Sequence, residues 1–273
     1  MKKVAVILPV YKNDKVPYVH LSVDSILNQT YQGEIVLYIG VDGPVGDDLA
    51  TCLKEYEAKG VKVQWFEENR GLAVVLNDLL DMAFEDGFEY IARMDADDIS
   101  MPDRFEKQMA LFAEHPEYDV VGGFISWIDE NGNSCNKIIK KPKTPEESLI
   151  FFETKNPLAH PAVLFKKTFF QKAGCKYRPD HKKNQDTLLW YDGLKKGVKI
   201  ANVQEVILFF RVTEAMFAHR RSGKAQAKIQ LKDRIMINKG LHYGLKAYVY
   251  AYCVYIVMIV PTWVRKYIYK VFR

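Results

Sequence analysis

The sequence predicts an α/β fold: a mainly parallel sheet flanked by helices, followed by a C-terminal helical segment of different character. Three observations carry this. Short β-rich apolar runs alternate with helical stripes over most of the chain, the pattern expected of βαβ units. Three polar clusters, Tyr11-Lys12-Asn13, Asp42-Gly43 and the trio Asp95, Asp97 and Asp98, stand where such runs end, and open α/β sheets bind ligands beyond the carboxyl ends of their strands. Finally, residues 247–264 carry no charged side chain. A chain of 273 residues that is 48% hydrophobic and 27% charged can build a sizeable core.

Val4–Val10 is a continuous apolar run, as expected of a parallel strand covered on both faces. A helical pattern follows to about Asn28. Residues 34–41 read as a second strand that ends in Asp42-Gly43. Leu49, Leu53 and Tyr56 mark one face of a helix that stops at Gly60. Residues 61–66 make a third strand, and Leu72, Val75, Leu76, Leu79 and Leu80 form a strong helical stripe. Residues 88–94 make a fourth strand, which delivers the acidic cluster. Ser100 with Asp103 resembles a capping box starting the next helix, whose buried face is Phe105, Met109 and Phe112. That helix ends at His115-Pro116. Residues 119–128 are a further strand, and the turn Glu130-Asn131-Gly132-Asn133 leads into Ile138-Ile139. Residues 145–215 mix short helices and strands. One domain is expected over 1–225, in two halves, 1–130 and 131–225, with a helical segment over 226–273.

The bulk properties narrow the partners. The net charge of +5 is mild, but from Arg220 onward Asp233 is the only acid among many Lys and Arg. An anionic surface or phosphate partner is expected there. No nucleic-acid-binding signature accompanies the charge, so no nucleic acid is expected. The cysteines at 52, 135, 175 and 253 form no CxxC pair, which argues against a zinc site or disulfide framework and fits reduced thiols in cytosol. The first apolar run is short, is interrupted by Pro9 and lacks a following cleavage site, so it reads as a buried strand rather than a signal peptide.

Local sequence leaves two uses open for Asp95, Asp97 and Asp98. An acidic loop can simply cap the following helix. Yet three carboxylates in four positions also offer the hard oxygen donors that suit Mn²⁺ or Mg²⁺. Likewise Asp186, in NQDTLLWYDGLKKG, is either a helix-starting Asp favoured by the dipole or a positioned base.

Taken in order, VAVILPVYKN, VDGP, ENRGLAVVLN and ARMDADDISMPDRF resemble the family 2 glycosyltransferases of the GT-A fold. These are inverting enzymes that use nucleotide-sugar donors, and many build bacterial surface polysaccharides. The resemblance covers most of residues 3–215 and implies a GT-A, Rossmann-like sheet, with a nucleotide-sugar half over 1–130 and an acceptor half over 131–225. It implies that Pro9, Tyr11 and Asp42 line the nucleotide pocket, with Tyr11 near the base and Asp42 accepting its N–H. Asn69 and Arg70 would approach the nucleotide, Arg70 facing the diphosphate. Asp95 would contact the ribose or diphosphate, while Asp97 or Asp98 binds Mn²⁺ or Mg²⁺ in the manner of a DXD motif. Asp186 would be the general base, and His160, Gln185 and Trp190 would line the acceptor site, although core packing is the commoner use of a Trp. Where the family usually has Glu-Asp, this chain has Gln185-Asp186. In relatives, a basic loop near Arg211, His219, Arg220 and Arg221 closes over the diphosphate.

The uncharged run 247–264 is short for a bilayer span, rich in Tyr, broken by Pro261 and followed by Arg265, Lys266, Lys270 and Arg273. It reads as an amphipathic, interfacial attachment to the inner face of the cell membrane, with a re-entrant or spanning helix as second choice. A buried helix at a homo-oligomer interface is the alternative. The expected activity is metal-dependent inverting transfer from a UDP-sugar to a hydroxyl of a saccharide, lipid-linked acceptor. Two rivals stand beside it: a non-catalytic membrane-docked scaffold, and a sugar-nucleotide pyrophosphorylase. The second lacks support, because no glycine-rich triphosphate loop follows the first strand.

Overall fold

Strand β1 (Val4–Val10) is almost wholly buried, and its alternate residues enter different cores. Val4, Val6, Leu8 and Val10 join one cluster, whereas Ala5 and Ile7 join the other. This is the period-2 geometry of a central strand with helices on both faces. The structure, a computed structural model, describes residues 1–181, 183–213 and 224–260.

In chain order β1 is followed by α1 (Val16–Leu27), β2 (Ile35–Val41), α2 (Asp47–Ala58), β3 (Lys62–Trp65), α3 (Leu72–Glu85), β4 (Tyr90–Arg93) and β5 (Ile99–Ser100). Next come α4 (Arg104–Glu114), β6 (Val120–Ile128), β7 (Ser134–Ile139), α5 (Pro145–Phe151), β8 (Leu164–Lys166), α6 (Lys167–Ala173), α7 (Gln185–Lys195) and β9 (Ile200–Arg211). Two helices complete the described chain, α8 (Lys224–Gly240) and α9 (Leu245–Ile259). The strands form one sheet in the order β3-β2-β1-β4-β8-β6-β9-β5, with β7 on β6. Side chains of α1, α2 and α4 fill one core, and those of α3, α6, α7 and α8 fill the other.

The sheet is parallel where the chain repeats βαβ units, across β3, β2, β1 and β4. Beyond β4 it is mixed. β8 lies antiparallel to both β4 and β6, β5 is antiparallel to β9, and only β6 and β9 pair in parallel. The parallel βαβ part of the sheet lies in the first half, β6 and β9 add a parallel pair, and the antiparallel strands β5 and β8, of two and three residues, are too short to leave a periodic signal.

A second correction concerns Ser100 and Asp103. Ser100 does not open a helix: it ends β5, paired opposite Leu208, and its hydroxyl accepts from Gln29 Nε2 at 3.2 Å. Helix α4 begins at Arg104, and Asp103 occupies its N-cap position without a side-chain cap. Sheet pairing to β9 overrides the local capping preference. Helix α8 spans the expected boundary at 225/226.

Helix α9 buries Ala247, Ala251 and Met258, while Leu245, Val249, Tyr252 and Ile256 are exposed along one stripe. At 15 residues it is about 22 Å long, and among the described residues no helix is long and apolar enough to cross a membrane. The segment that would carry Pro261, Arg265, Lys266, Lys270 and Arg273 lies outside the described residues, as do His219, Arg220 and Arg221.

The contrast between β1 and α9 can be measured. Leu8→Ala should cost about 2–5 kcal/mol, read from the urea midpoint, because it opens a cavity in a filled core. Val249→Ala, on the exposed stripe, should stay within about 0.5 kcal/mol.

Candidate active site

The polar clusters of the first half converge because β1, β2 and β4 are parallel neighbours and end on the same edge. After β1, Pro9 is half-buried within the strand and Tyr11 is 43% exposed. Its backbone N–H donates to Asp14 Oδ2 at 2.8 Å.

After β2, the buried Asp42 carboxylate collects three donors from one loop. Oδ1 accepts from Arg70 N at 2.7 Å, and Oδ2 accepts from Gly71 N and Asn69 Nδ2, both at 3.0 Å. Asp42 thus pins residues 69–71 to the strand end and sets the start of α3. Gly43, at φ 83°, permits this approach, since a Cβ there would stand 2.6 Å from Asn69 N. The Arg70 guanidinium pairs with Asp78 and lies 4.1 Å from the Phe66 ring centroid.

After β4, oxygens of Asp95, Asp97 and Asp98 lie within 4.8 Å of one another. The buried Arg93 forms an ion pair with Asp95. Asp98 is fully buried: its Oδ1 accepts from Arg211 N at 2.9 Å, and its Oδ2 has no partner. Burial and the neighbouring Asp95 and Asp97 charges push Asp98 well above the usual carboxylate range. Burial, then Asp95, raises Asp97 to about 6. Asp14 is raised to about 7, mainly by burial, with the charges of Asp97 and Asp95 adding. An unpartnered buried carboxylate oxygen beside two further carboxylates is a fitting donor set for a hard divalent cation.

Arg211 corrects the expectation that it faces the diphosphate. It is buried at the end of β9, where Nε donates to Asp97 O at 2.9 Å and Nη1 donates to Asp129 O and Glu130 O at 3.0 and 3.2 Å. Its guanidinium stacks 4.1 Å from the Tyr18 ring centroid. Its Nε and Nη1 brace the acidic loop, while its buried Nη2 has no protein partner among the described residues.

On the other side, Asp186 occupies the first turn of α7 and is half-buried. Its Oδ2 accepts from Asn156 Nδ2 at 3.2 Å, and Asn156 also bonds Thr187 Oγ1 at 2.9 Å. The segment carrying Asn156 is held by Lys141, whose Nζ donates to Asn156 O at 2.9 Å and Leu158 O at 3.1 Å. Burial lowers Lys141 to about 8. Gln185 begins the helix and is half-buried beside Asp186. Trp190 is a further correction: it is fully buried, stacks on Phe165 at 5.7 Å between ring centroids, and has no surface to offer a sugar.

His160 and Tyr177 stand between the two sides. His160 Nε2 and Tyr177 Oη are 2.7 Å apart. Burial, assisted by the Arg93 charge, holds His160 well below its ordinary pKa, so its ring is neutral near pH 7. Burial raises Tyr177, which also senses the charges of Arg93, Asp186 and Asp95. Asn77 of α3 holds the Tyr177 backbone through both N–H and C=O, at 3.0 and 2.8 Å. Tyr177, Asn77, Asn156 and Lys141 were not among the expected site residues. Lone polar residues in loops carry no periodic signal, and their roles arise from contacts across the fold.

The acidic site makes stability depend on pH. Asp14 and Asp97 hold their protons more tightly when folded than unfolded, so their contribution to stability is complete below the unfolded carboxylate value of about 4 and is lost as pH rises through the folded values to about 7. Melting of the metal-free protein should show this decline. Asp97→Asn should reduce it, and Mn²⁺ should raise the melting temperature more at pH 8 than at pH 5. A pH-independent Mn²⁺ effect would separate the cation from these carboxylates.

Residues 5–174 match the family model described as Glycosyl transferase family 2. An uncharacterized glycosyltransferase of Haemophilus influenzae is 31% identical over 249 residues, covering 89% of this chain and 90% of the relative. The O-antigen biosynthesis glycosyltransferase WbnJ of Escherichia coli is 33% identical over 77% of this chain and 79% of its own length. An Escherichia coli UDP-Gal:alpha-D-GlcNAc-diphosphoundecaprenol beta-1,3-galactosyltransferase is 27% identical over 98% of this chain and 95% of its own. Among solved structures, S. aureus TarS 1-349 in complex with UDP-GlcNAc superposes with a TM-score of 0.66 at 20% identity over 88% of this chain; the chain spans 66% of that protein. The mannosyltransferase PcManGT from Pyrobaculum calidifontis, in complex with GDP-Man and Mn2+, has a TM-score of 0.61 at 16% identity over 92% of this chain and 73% of its own. The fold is GT-A, and the chain belongs to Glycosyl transferase family 2 as a glycosyltransferase.

Proposed function

We propose that this glycosyltransferase moves a hexose from a UDP-sugar to a hydroxyl of a lipid-linked saccharide, with inversion and with help from Mn²⁺ or Mg²⁺, in the biosynthesis of a bacterial surface polysaccharide. The observation that carries the reading is the pairing of a carboxylate cluster on the β4 edge with Asp186 on α7, with Tyr177 sensing charges from both. Similarity to a galactosyltransferase named for UDP-Gal and a diphosphoundecaprenol-linked acceptor supports the donor and acceptor classes. TarS with UDP-GlcNAc supports a uridine donor, and PcManGT with Mn2+ supports the cation.

In this reading Tyr11, Pro9 and the Asp42-pinned loop of Asn69 and Arg70 receive the nucleotide. Asp97 and Asp98, with Asp95 beside them, would hold the cation, which would supply positive charge to offset that of the departing diphosphate. Asp186 takes the proton from the acceptor hydroxyl as its oxygen bonds to the anomeric carbon. The bond from that carbon to the phosphate oxygen breaks on the opposite face, and UDP leaves with the electron pair. An α-linked donor then gives a β-linked product. Asn156 and Thr187 orient the base, and neutral His160 with Tyr177 bounds the acceptor side. The exposed stripe Leu245, Val249, Tyr252 and Ile256, with exposed Lys246, supports contact with the inner face of the cell membrane, where a lipid-linked acceptor resides.

Asp186→Asn should lower transfer about 10²–10⁴-fold and leave Mn²⁺-dependent UDP binding within about twofold, since the two sites lie on different elements. Calorimetric titration with UDP and Mn²⁺, followed by a screen of UDP-glucose, UDP-galactose and UDP-N-acetylglucosamine, tests this directly. Full activity in the variant would remove Asp186 from the mechanism. No UDP binding by the unaltered protein would favour a scaffold.

A further inference from the structure

Asp233, the single acid of the basic C-terminal stretch, is only 5% exposed. Its Oδ2 accepts from Asn184 Nδ2 at 3.1 Å, and its Oδ1 faces His181 Nε2 at 3.8 Å. Asn184 is the residue on which α7 starts, two positions before Asp186. It adopts a left-handed backbone, φ 62°, and its side chain makes no cap bond to its own helix. What orients this helix start is therefore a carboxylate on another helix.

The next residue, Arg234, does the same for the other support of Asp186. Its Nη1 donates to Phe152 O at 2.7 Å, and its guanidinium lies 5.1 Å from the Phe152 ring centroid. Phe152 ends α5 and leads into the segment carrying Asn156, the donor to Asp186 Oδ2. Two consecutive residues of α8 thus hold the two chain segments that converge on Asp186. Close packing of α8 on α7 fixes the distance: Gly240 lies so near Tyr191 that a Cβ would stand 2.1 Å from Tyr191 Oη. Ile237 of α8 is fully buried in the same core as Leu189 and Trp190 of α7.

We propose that Asp233 and Arg234 are positioning residues that set Asp186 against the acceptor, making helix α8 part of the acceptor site rather than an appendage to it. This rests on the reading of Asp186 as the base. A displacement of about 1 Å in such a group costs about 10²-fold in rate, so a tie of this kind acts on turnover more than on nucleotide binding.

Two variants test it in the full chain. Asn184→Gly keeps the left-handed backbone and deletes only the donor, and Asp233→Asn keeps the shape but removes the charge. Hydrogen exchange should be faster in both at Leu188 of α7, whose amide donates to Asn184 O at 3.0 Å and closes the first turn. Release of UDP from UDP-glucose, UDP-galactose or UDP-N-acetylglucosamine, whichever is turned over, should lose about 10- to 100-fold in kcat, with the donor KM and the UDP–Mn²⁺ titration within about twofold. The double variant should be no slower than Asn184→Gly alone, because Asp233→Asn only weakens the bond that Asn184→Gly deletes. Unchanged α7 exchange in Asn184→Gly would overturn the proposal. So would losses that multiply in the double variant, or an equal weakening of UDP–Mn²⁺ binding, which would mark general damage. Should Asp186→Asn stay fully active, the base reading fails separately, while faster α7 exchange in Asn184→Gly still upholds the tie.

Discussion

A buried carboxylate facing a backbone amide holds the two halves of this site in one place. Asp98 sits at the end of the parallel half of the sheet, and its Oδ1 accepts from the amide of Arg211 at the end of the mixed half. The Arg211 side chain then reaches back to the carbonyl of Asp97 and across to those of Asp129 and Glu130. Strand β9 and the loop after β4 are therefore interlocked by both main chain and side chain. Either partner alone would leave a buried polar group unmatched, at a cost of about 1–3 kcal/mol.

That interlock allows like charges to be crowded where they would otherwise splay apart. Asp14, Asp97 and Asp98 are all pushed upward by burial and by mutual repulsion, so the fold stores unfavourable electrostatics at this edge. Arg93 offsets part of it through Asp95. A site that is uncomfortable empty and comfortable with a cation binds that cation more tightly, by the linkage between proton and ligand binding. Arg93 and Arg211 both act as buried counter-charges to this cluster, Arg93 through Asp95 and Arg211 beside Asp97.

The opposite wall follows a different design. Asp186 depends on neutral donors, Asn156 and Thr187, and on helices brought together from distant parts of the chain. Tyr177 and His160 join this wall to the acidic edge, and Asn77 ties Tyr177 back to α3. These bonds lie in a low-exposure interior, where each counts for more than it would in water.

How much of this was legible in the chain depends on whether the signal is local. The run Val4–Val10, the stripes of α2 and α3, and the acidic cluster at a strand end are periodic or contiguous, and the alternation of apolar strands with helical stripes decided the parallel half of the sheet. The ordered motifs decided the family. Only the tertiary structure could turn Ser100 from a helix cap into a strand end, commit Arg211 to backbone carbonyls and bury Trp190 in the core. It also tied Asp233 to Asn184 across 49 positions of sequence. The reason is physical: propensity and period act over a few residues, whereas the pairing of a buried polar atom is decided by whichever partner the finished packing brings within hydrogen-bonding reach.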